Sequence, residues 1–201
     1  MGLKDSTTEE KILEAAKDVF MKYGLYGARM QDIADTAGIN KALLHYYFRN
    51  KEKLFDSVFE KALAKYFDQM TVIGDKSLPI KERLMAYVDN IFNFFREYPQ
   101  MSMFIIKEIS INPQMFHEKV AKLKYDKSLL IPTLLEAIEK GEIPAFDPVM
   151  FMINLHSLCA YPFLASPLYK LMLQKNGYDW DEDAQNRIKE SVKEFISFKF
   201  Q

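Results

Sequence analysis

A short segment between residues 31 and 54 constrains the fold of this 201-residue chain more than any other part of the sequence. Apolar residues recur at helical spacing on both sides of Gly38, and Asn40 stands where its side chain can cap a following helix. The pattern predicts two short helices joined by a glycine turn, the second over residues 41–48. The residues that the first helix is expected to bury are Ile33, Ala34 and Ala37. Because the second helix is too short to be stable alone, its neighbours must pack behind it.

The remainder of the chain has the same three- and four-residue apolar spacing and no long stretch that alternates with period two. This periodicity predicts an all-α fold of about nine helices. Beyond the two short ones, they are expected at about 6–24, 50–70, 80–98, 100–110, 113–140 with a kink at Pro132, 148–165 and 181–199. Residues 1–50 should form a helix-turn-helix domain and residues 51–201 a larger helical domain, linked by the helix from about 50 to 70.

A local basic surface accompanies the two short helices. The segment from Lys22 to Lys53 contains six cationic and three acidic side chains, although the whole chain has a net charge of −1. Contact with DNA phosphates requires such a local excess of positive charge. The segment therefore predicts a helix-turn-helix whose second helix enters the major groove of double-stranded DNA.

Several motifs make the first 60 residues similar to one known family. They include Ile12-Leu13-Glu14-Ala15-Ala16, Tyr23-Gly24, Ala37-Gly38-Ile39-Asn40-Lys41, Tyr46-Tyr47-Phe48 and Asn50-Lys51-Glu52-Lys53-Leu54. This run resembles the tetracycline-repressor (TetR) family of bacterial transcription regulators. A looser resemblance continues through Glu97-Tyr98-Pro99, Gly141-Glu142-Ile143 and Asp147-Pro148.

Two groups of residues are predicted to contact DNA. The readers of base edges stand at the start of the second helix and are Lys41, Ala42, Leu43 and His45. The residues that hold phosphates through side chains or backbone amides are Arg29, Met30, Gln31, Tyr46 and Lys51. Four of these positions depart from the family pattern, which usually has Thr at 30, Gly at 42, Thr at 43 and Tyr at 45. The departures put the details of phosphate contact and base preference in doubt, but not the fold.

The larger part of the chain is rich in Phe, Tyr and Met, as a well-filled helical core is. The resemblance implies that this part encloses a pocket for a small-molecule effector, here expected to be apolar or aromatic. Residues placed to line such a pocket are Tyr87, Phe104, Asn154, His156, Ser157 and Tyr161. The resemblance also implies a homodimer through the helices near 148–165 and 181–199, and a ligand-responsive repressor of a pseudo-palindromic operator.

Catalysis, cofactors and metal sites are not expected. The three histidines and the single cysteine show no zinc spacing apart from His156-x-x-Cys159, and two ligands cannot close a site. No nucleophile elbow, phosphate-binding loop or dinucleotide-binding run is present. No apolar run approaches membrane-spanning length and no secretory leader is evident, so we expect a cytoplasmic protein with no membrane partner.

A second interpretation stays open on the sequence alone. A helical dimeric small-molecule-binding or protein-interaction module with a vestigial DNA-binding head would have the same helices. The departures at Met30, Ala42, Leu43 and His45 are compatible with it.

Overall fold

The computed structural model describes residues 6–122 and 130–201, and within those ranges the only regular structure is helical. Eleven α-helices and one short 3-10 helix, Thr71–Gly74, are present there. The α-helices are α1 Ser6–Gly27, α2 Met30–Ala37, α3 Lys41–Tyr47, α4 Lys51–Asp68, α5 Ile80–Glu97, α6 Met101–Ile111, α7 Pro113–Lys122, α8 Leu130–Glu139, α9 Pro148–Leu164, α10 Ser166–Lys175 and α11 Glu182–Lys199. The predicted all-α fold is confirmed.

The number and bounds of the helices differ from the prediction in the second half of the chain. The helix expected over 113–140 corresponds to α7 and α8, and its middle, residues 123–129, lies outside the described residues. Pro132 stands in the first described turn of α8, and the predicted kink stays a prediction because the residues before α8 lie outside the described ones. Helix α10 was not predicted at all. It begins beside Pro167, and proline is tolerated in the first turn because the amides there need no helical partner.

The described chain divides into two compact units, and the division falls inside α4. The first unit contains the described residues up to Ala64 together with Phe104–Lys119, and the second contains Lys65–Met103 and the described part of Val120–Gln201. The predicted domain boundary near residue 50 stays a prediction. Helix α4 contributes residues to both units, as the expected linking helix would.

In the first unit, α1 supplies a buried apolar stripe, namely Ile12, Ala16, Val19 and Phe20. The ring of Phe20 meets that of Phe55 edge-on at 5.0 Å between centroids. Gly24 has a left-handed φ of 68° and interrupts the helical backbone of α1, which confirms the expected helix end. The prediction for α2 is wrong at one position: Ile33 and Ala34 are buried, whereas Ala37 in the last turn is partly exposed.

One ion-pair cluster ties α7 to α4 within the first unit. The Lys119 ammonium lies 2.8 Å from Asp56 Oδ1 and 3.0 Å from Glu60 Oε1. Lys119 is buried, and a buried cation needs such partners to offset its loss of hydration. The two acids are one helical turn apart on α4, so a single lysine can reach both.

The second unit is built around α5, which is buried along most of its length. Phe163 of α9 packs on Phe92 and Phe95, with ring centroids 5.3 and 5.4 Å apart. Helix α11 is fixed to α5 by polar contacts, for example from Arg96 Nη2 to Asn186 Oδ1 at 2.9 Å. Burial of both faces by neighbouring helices makes α5 the core element of this unit.

Candidate nucleic-acid interface and buried polar cluster

The turn between α2 and α3 has the geometry expected of a helix-turn-helix. Gly38 adopts a φ of 67°, and the N–H of Ile39 donates to Ala34 O at 3.0 Å, which closes the end of α2. Asn40 then caps α3, because its Oδ1 accepts a hydrogen bond from the Leu43 N–H at 2.8 Å. The predicted roles of Gly38 and Asn40 are confirmed.

Helix α3 is buried on one side and open on the other. Leu44 is fully buried and Leu43 is partly buried, so these side chains anchor the helix. The predicted DNA contacts that stand exposed on α3 are Lys41, Ala42, His45 and Tyr46. The Tyr46 ring is 59% exposed although it is large and apolar. Exposure of these side chains on one short helix leaves them free to meet a groove of DNA.

The start of α2 presents a second polar surface. Arg29 has extended backbone at the N-cap position, and no side chain caps the helix there. Helix α2 therefore begins with backbone N–H groups that lack intrahelical partners, and its positive dipole end favours an anion. Arg29 and Gln31 are exposed, and Gln31 Nε2 donates to Asp35 Oδ1 at 2.7 Å; Met30 is partly buried.

Lys51 has a structural contact that the sequence did not reveal. Its Nζ donates to Ala28 O at 3.1 Å and to Tyr26 O at 3.4 Å, so the ammonium group binds the segment that joins α1 to α2. These partners lie more than twenty residues away in the sequence, and local patterns carry no sign of them. Lys51 is partly exposed, and its contact with phosphate stays a prediction.

Two of the six predicted effector-contacting residues come together in the second unit. The rings of Tyr87 on α5 and His156 on α9 meet edge-on with centroids 6.0 Å apart. The Tyr87 hydroxyl and the His156 Nε2 are both buried, and neither has a hydrogen-bond partner among the described residues. Such unpaired buried polar atoms are uncommon in folded proteins and mark a place where a ligand or water can bind.

Tyr66 and Cys159 join Tyr87 and His156 in a group that we name the buried polar cluster. Burial is the main cause of the pKa shift of each of its four members. Burial raises the pKa of the Cys159 thiol to about 12, and burial, then the nearby Cys159, raises the pKa of Tyr66 to about 12. Burial raises the pKa of Tyr87 and lowers the pKa of His156 below 6.5. All four groups are therefore uncharged at neutral pH. Tyr66 was not predicted as a member of this cluster, because spacing along one helix does not show which other helix a side chain meets.

The other four predicted effector-contacting residues lie elsewhere. Asn154, Ser157 and Tyr161 are exposed on the outer face of α9. Phe104 belongs to the first unit, where its ring lies 5.9 Å from Phe55 and 5.6 Å from Phe59. The sequence alone could not distinguish these four residues from Tyr87 and His156, because all six stand among apolar residues in predicted helices.

Residues 6–122 and 130–201 contain neither a cluster that could hold a metal ion nor a single helix that could cross a membrane. No group of three or more His, Cys, Asp or Glu side chains there has an arrangement that would hold a metal ion. No single helix in those ranges is long and apolar enough to cross a membrane; α9 and α10 together have the required length and composition, but they are bent by 67°.

Comparison with known proteins finds one family. Residues 12–58 match the model described as bacterial regulatory proteins, tetR family. The chain is 30% identical over 154 residues to the HTH-type transcriptional regulator RutR of Escherichia coli K12, covering 74% of this chain and 71% of that protein. It is 26% identical over 162 residues to the HTH-type transcriptional repressor NicS of Pseudomonas putida, covering 81% and 74%.

Solved structures share the fold. The putative transcriptional regulator SCO4942 from Streptomyces coelicolor superposes with a TM-score of 0.69 at 22% identity, covering 96% of this chain and 98% of that one. The fatty acid degradation regulator FadR from Bacillus halodurans superposes with a TM-score of 0.66 at 19% identity, covering 96% of both chains. At these identities the likeness concerns the helical architecture alone.

Acid should destabilise the protein through His156. Because burial lowers the pKa of this histidine, the unfolded chain binds a proton below about pH 6.5 that the native chain excludes. We expect the free energy of unfolding to fall as pH drops below 6.5, by at most about 1.4 kcal/mol per pH unit from this group. Urea unfolding of the wild type and of His156→Phe at several pH values measures the difference. The exposed His117→Phe is the matched control, and an equal acid slope in wild type and His156→Phe would exclude His156 as the cause.

Proposed function

Since this chain belongs to the tetR family of bacterial regulatory proteins and is a DNA-binding transcriptional regulator, we propose that it acts as a homodimeric repressor released from DNA by a small effector. The observation that carries the proposal is the capped α3 helix, which exposes Lys41, His45 and Tyr46 on one side while Leu44 anchors the other. A regulator that works on bacterial DNA acts in the cytoplasm.

The dimer places two α3 helices in successive major grooves, about 34 Å apart, on a pseudo-palindromic operator. In each head, Lys41 and His45 donate to base edges, and Ala42 and Leu43 make apolar contact with bases. Arg29, Tyr46, Lys51 and the backbone amides of Met30 and Gln31 hold phosphates at the ends of α2 and α3. The exposure of Arg29 and Tyr46 supports these roles.

The dimer forms through α9 and α11 in this proposal. Helix α9 is buried on one side through Phe151, Leu155 and Cys159, and its opposite face carries exposed apolar side chains. The exposed residues of that opposite face include Met150, Ile153, Asn154, Ser157 and Tyr161, of which Met150, Ile153 and Tyr161 are large and apolar. On α11 the Phe198 ring is also exposed. Contiguous apolar surface of this kind is typical of subunit interfaces.

The effector binds at the buried polar cluster. Tyr87 and His156 offer polar atoms without partners, and aromatic side chains such as Phe92, Phe95 and Phe163 pack nearby. An apolar or aromatic molecule with one hydrogen-bonding group suits these surroundings. The effector binds more tightly to a conformer that does not bind DNA, and it therefore shifts the dimer away from the DNA-binding conformer. Helix α4, which contributes residues to both units, would transmit this change.

The DNA-binding proposal is tested by selecting random duplex DNA on the purified protein and measuring affinity for the recovered motif. We expect a palindromic motif. Lys41→Ala should weaken binding by about 1–3 kcal/mol and relax the preference at one base pair, because it loses a base contact. Arg29→Ala should weaken binding to all sequences alike and reduce the slope of log K against log salt by about 0.9, because it loses one phosphate contact.

Lys170→Ala, which removes an exposed lysine of α10 in the second unit, is the matched control and should leave both quantities unchanged. Recovery of motif-free binding with the same salt slope in all variants would contradict sequence-specific recognition by α3. The protein would then be better described as a helical module with a vestigial DNA-binding head.

The dimer interface is tested with Ile153→Glu, which adds a charge to the exposed face of α9. If that face is buried between subunits, the uncompensated charge should raise the dimer dissociation constant at least about tenfold. Sedimentation over a range of concentrations measures it. Leu135→Glu on α8 is the control, because Leu135 and Ile153 are 50% and 47% exposed. A wild type that sediments as a monomer at all concentrations, or equal effects of both variants, would contradict this interface.

The effector site is tested with Tyr87→Phe. Apolar compounds with one hydrogen-bonding group are first screened for release of the selected operator. For a compound that releases it, loss of the Tyr87 hydroxyl should raise the concentration needed by roughly fivefold, the value of one neutral hydrogen bond. Tyr178→Phe removes an exposed hydroxyl and should have no effect. Equal sensitivity of wild type and Tyr87→Phe to every active compound would place the effector elsewhere.

A further inference from the structure

The second unit contains a cavity that the proposed function does not use. It lies between the N-terminal end of α5 and the C-terminal end of α8 and has a volume of about 590 Å³. Its charged lining residues are Lys76, Lys81, Arg83, Glu136, Lys140 and Glu142. We name this cavity the α5–α8 groove. None of its lining residues belongs to the buried polar cluster of Tyr66, Tyr87, His156 and Cys159.

Arg83 is the unusual residue of the α5–α8 groove. Only 8% of it is exposed, and its Nη1 donates to Ile73 O at 3.1 Å. Its Nε is buried without a hydrogen-bond partner, and the guanidinium forms no ion pair with a carboxylate of the described residues. Asp75 is close enough for Arg83 to help lower its pKa, but hydrogen bonds from Ser77 to the Asp75 carboxylate are the larger cause. Buried cations are nearly always paired with a carboxylate, whereas Arg83 has none in ion-pair contact among the described residues.

Glu136, one of the two acids that line the groove, does not supply a counter-charge to Arg83. Glu136 accepts hydrogen bonds from Lys76 at 3.1 Å and from Lys140 at 2.6 Å, and these two lysines lower its pKa to about 2. Glu136 is therefore ionised and already paired with two cations. Because four cations line the groove against two carboxylates, the lining has a net charge of +2. An excess of positive charge remains near Arg83 and Lys81.

The N-terminal end of α5 adds to this positive potential. Pro79 stands at the N-cap position and no side chain caps the helix. The first backbone N–H groups of α5 therefore have no intrahelical partner, and the helix dipole favours an anion there. Pro79, Ile80 and Lys81 all line the groove, so this end of the helix borders the same space as Arg83.

From these observations we infer that the α5–α8 groove is a binding site for a small organic oxyanion, a molecule with a phosphate or carboxylate group on an apolar body. The anionic group pairs with Arg83 and the start of α5, where planar donors and a helix end suit it. Leu78, Ile143 and Phe200, which also line the groove, contact the apolar body. The inference is independent of the proposed repressor activity, because it involves neither α3 nor the buried polar cluster.

The test is calorimetric titration of the full-length protein with phenyl phosphate and with benzoate, and with neutral benzamide for comparison. We expect saturable binding of one or both anions and none of benzamide. Arg83→Met should weaken binding at least about tenfold, because a charged hydrogen bond is lost. Lys81→Gln, at an exposed position, should weaken it by a smaller factor. Arg187→Met and Lys170→Gln remove exposed cations outside the groove and should have no effect.

Two results would overturn the inference. One is binding of benzamide as tight as that of benzoate, which would show that no charge is recognised. The other is binding of the anions that Lys81→Gln and Arg83→Met leave unchanged. If circular dichroism shows that Arg83→Met does not fold, the double variant Lys81→Gln with Lys140→Gln decides, because both residues are exposed. Operator binding, measured separately on the same variants, tests the α3 surface and not the α5–α8 groove.

Discussion

Helix α3 has only seven residues and therefore too few internal hydrogen bonds to be stable alone, so its exposed surface exists only because other groups hold it. Asn40 satisfies an amide at its start, and the burial of Leu44 fixes its rotation. The helices behind it are in turn held by the packing of Phe20 on Phe55. The exposed side chains of α3, such as Ala42 and His45, contribute little to this arrangement. Departures from the family pattern at Ala42 and His45 are therefore compatible with an intact fold.

The second unit combines a well-packed apolar core with several buried polar atoms that lack partners among the described residues. Two of the side chains concerned are on α5: Tyr87 stands in its middle and Arg83 near its start. A folded chain tolerates few such groups, because each one forfeits hydrogen bonds that it would make in water. The neutral cluster at Tyr87 and His156 suits a largely apolar ligand, whereas the cationic groove at Arg83 suits an anion. One helix thus supports two sites of opposite chemical preference.

Local patterns predicted what depends on local physics. The turn at Gly38, the cap at Asn40 and a helix that begins at residue 148 are all present. Features that depend on which helices meet were not predictable in this way. Lys51 binds carbonyl groups of residues 26 and 28, and Phe104 packs in a unit other than the one expected. Helix α10 was missed because a proline-containing start resembles a loop in sequence. The α5–α8 groove is lined by residues far apart in the sequence, from Lys76 to Phe200, so no local pattern predicts it.

The first unit is not a continuous stretch of chain, and this affects how the protein is made. Phe104, which covers Phe55 and Phe59, and Lys119, which pairs with Asp56 and Glu60, are synthesised well after the helices that they complete. At ribosomal elongation rates of about 5–20 residues per second, helices α1–α4 wait on the order of seconds for these partners. During that interval Phe55 and Phe59 lack the ring that packs on them in the folded chain. The first unit is therefore completed late in synthesis, although most of its residues are encoded first.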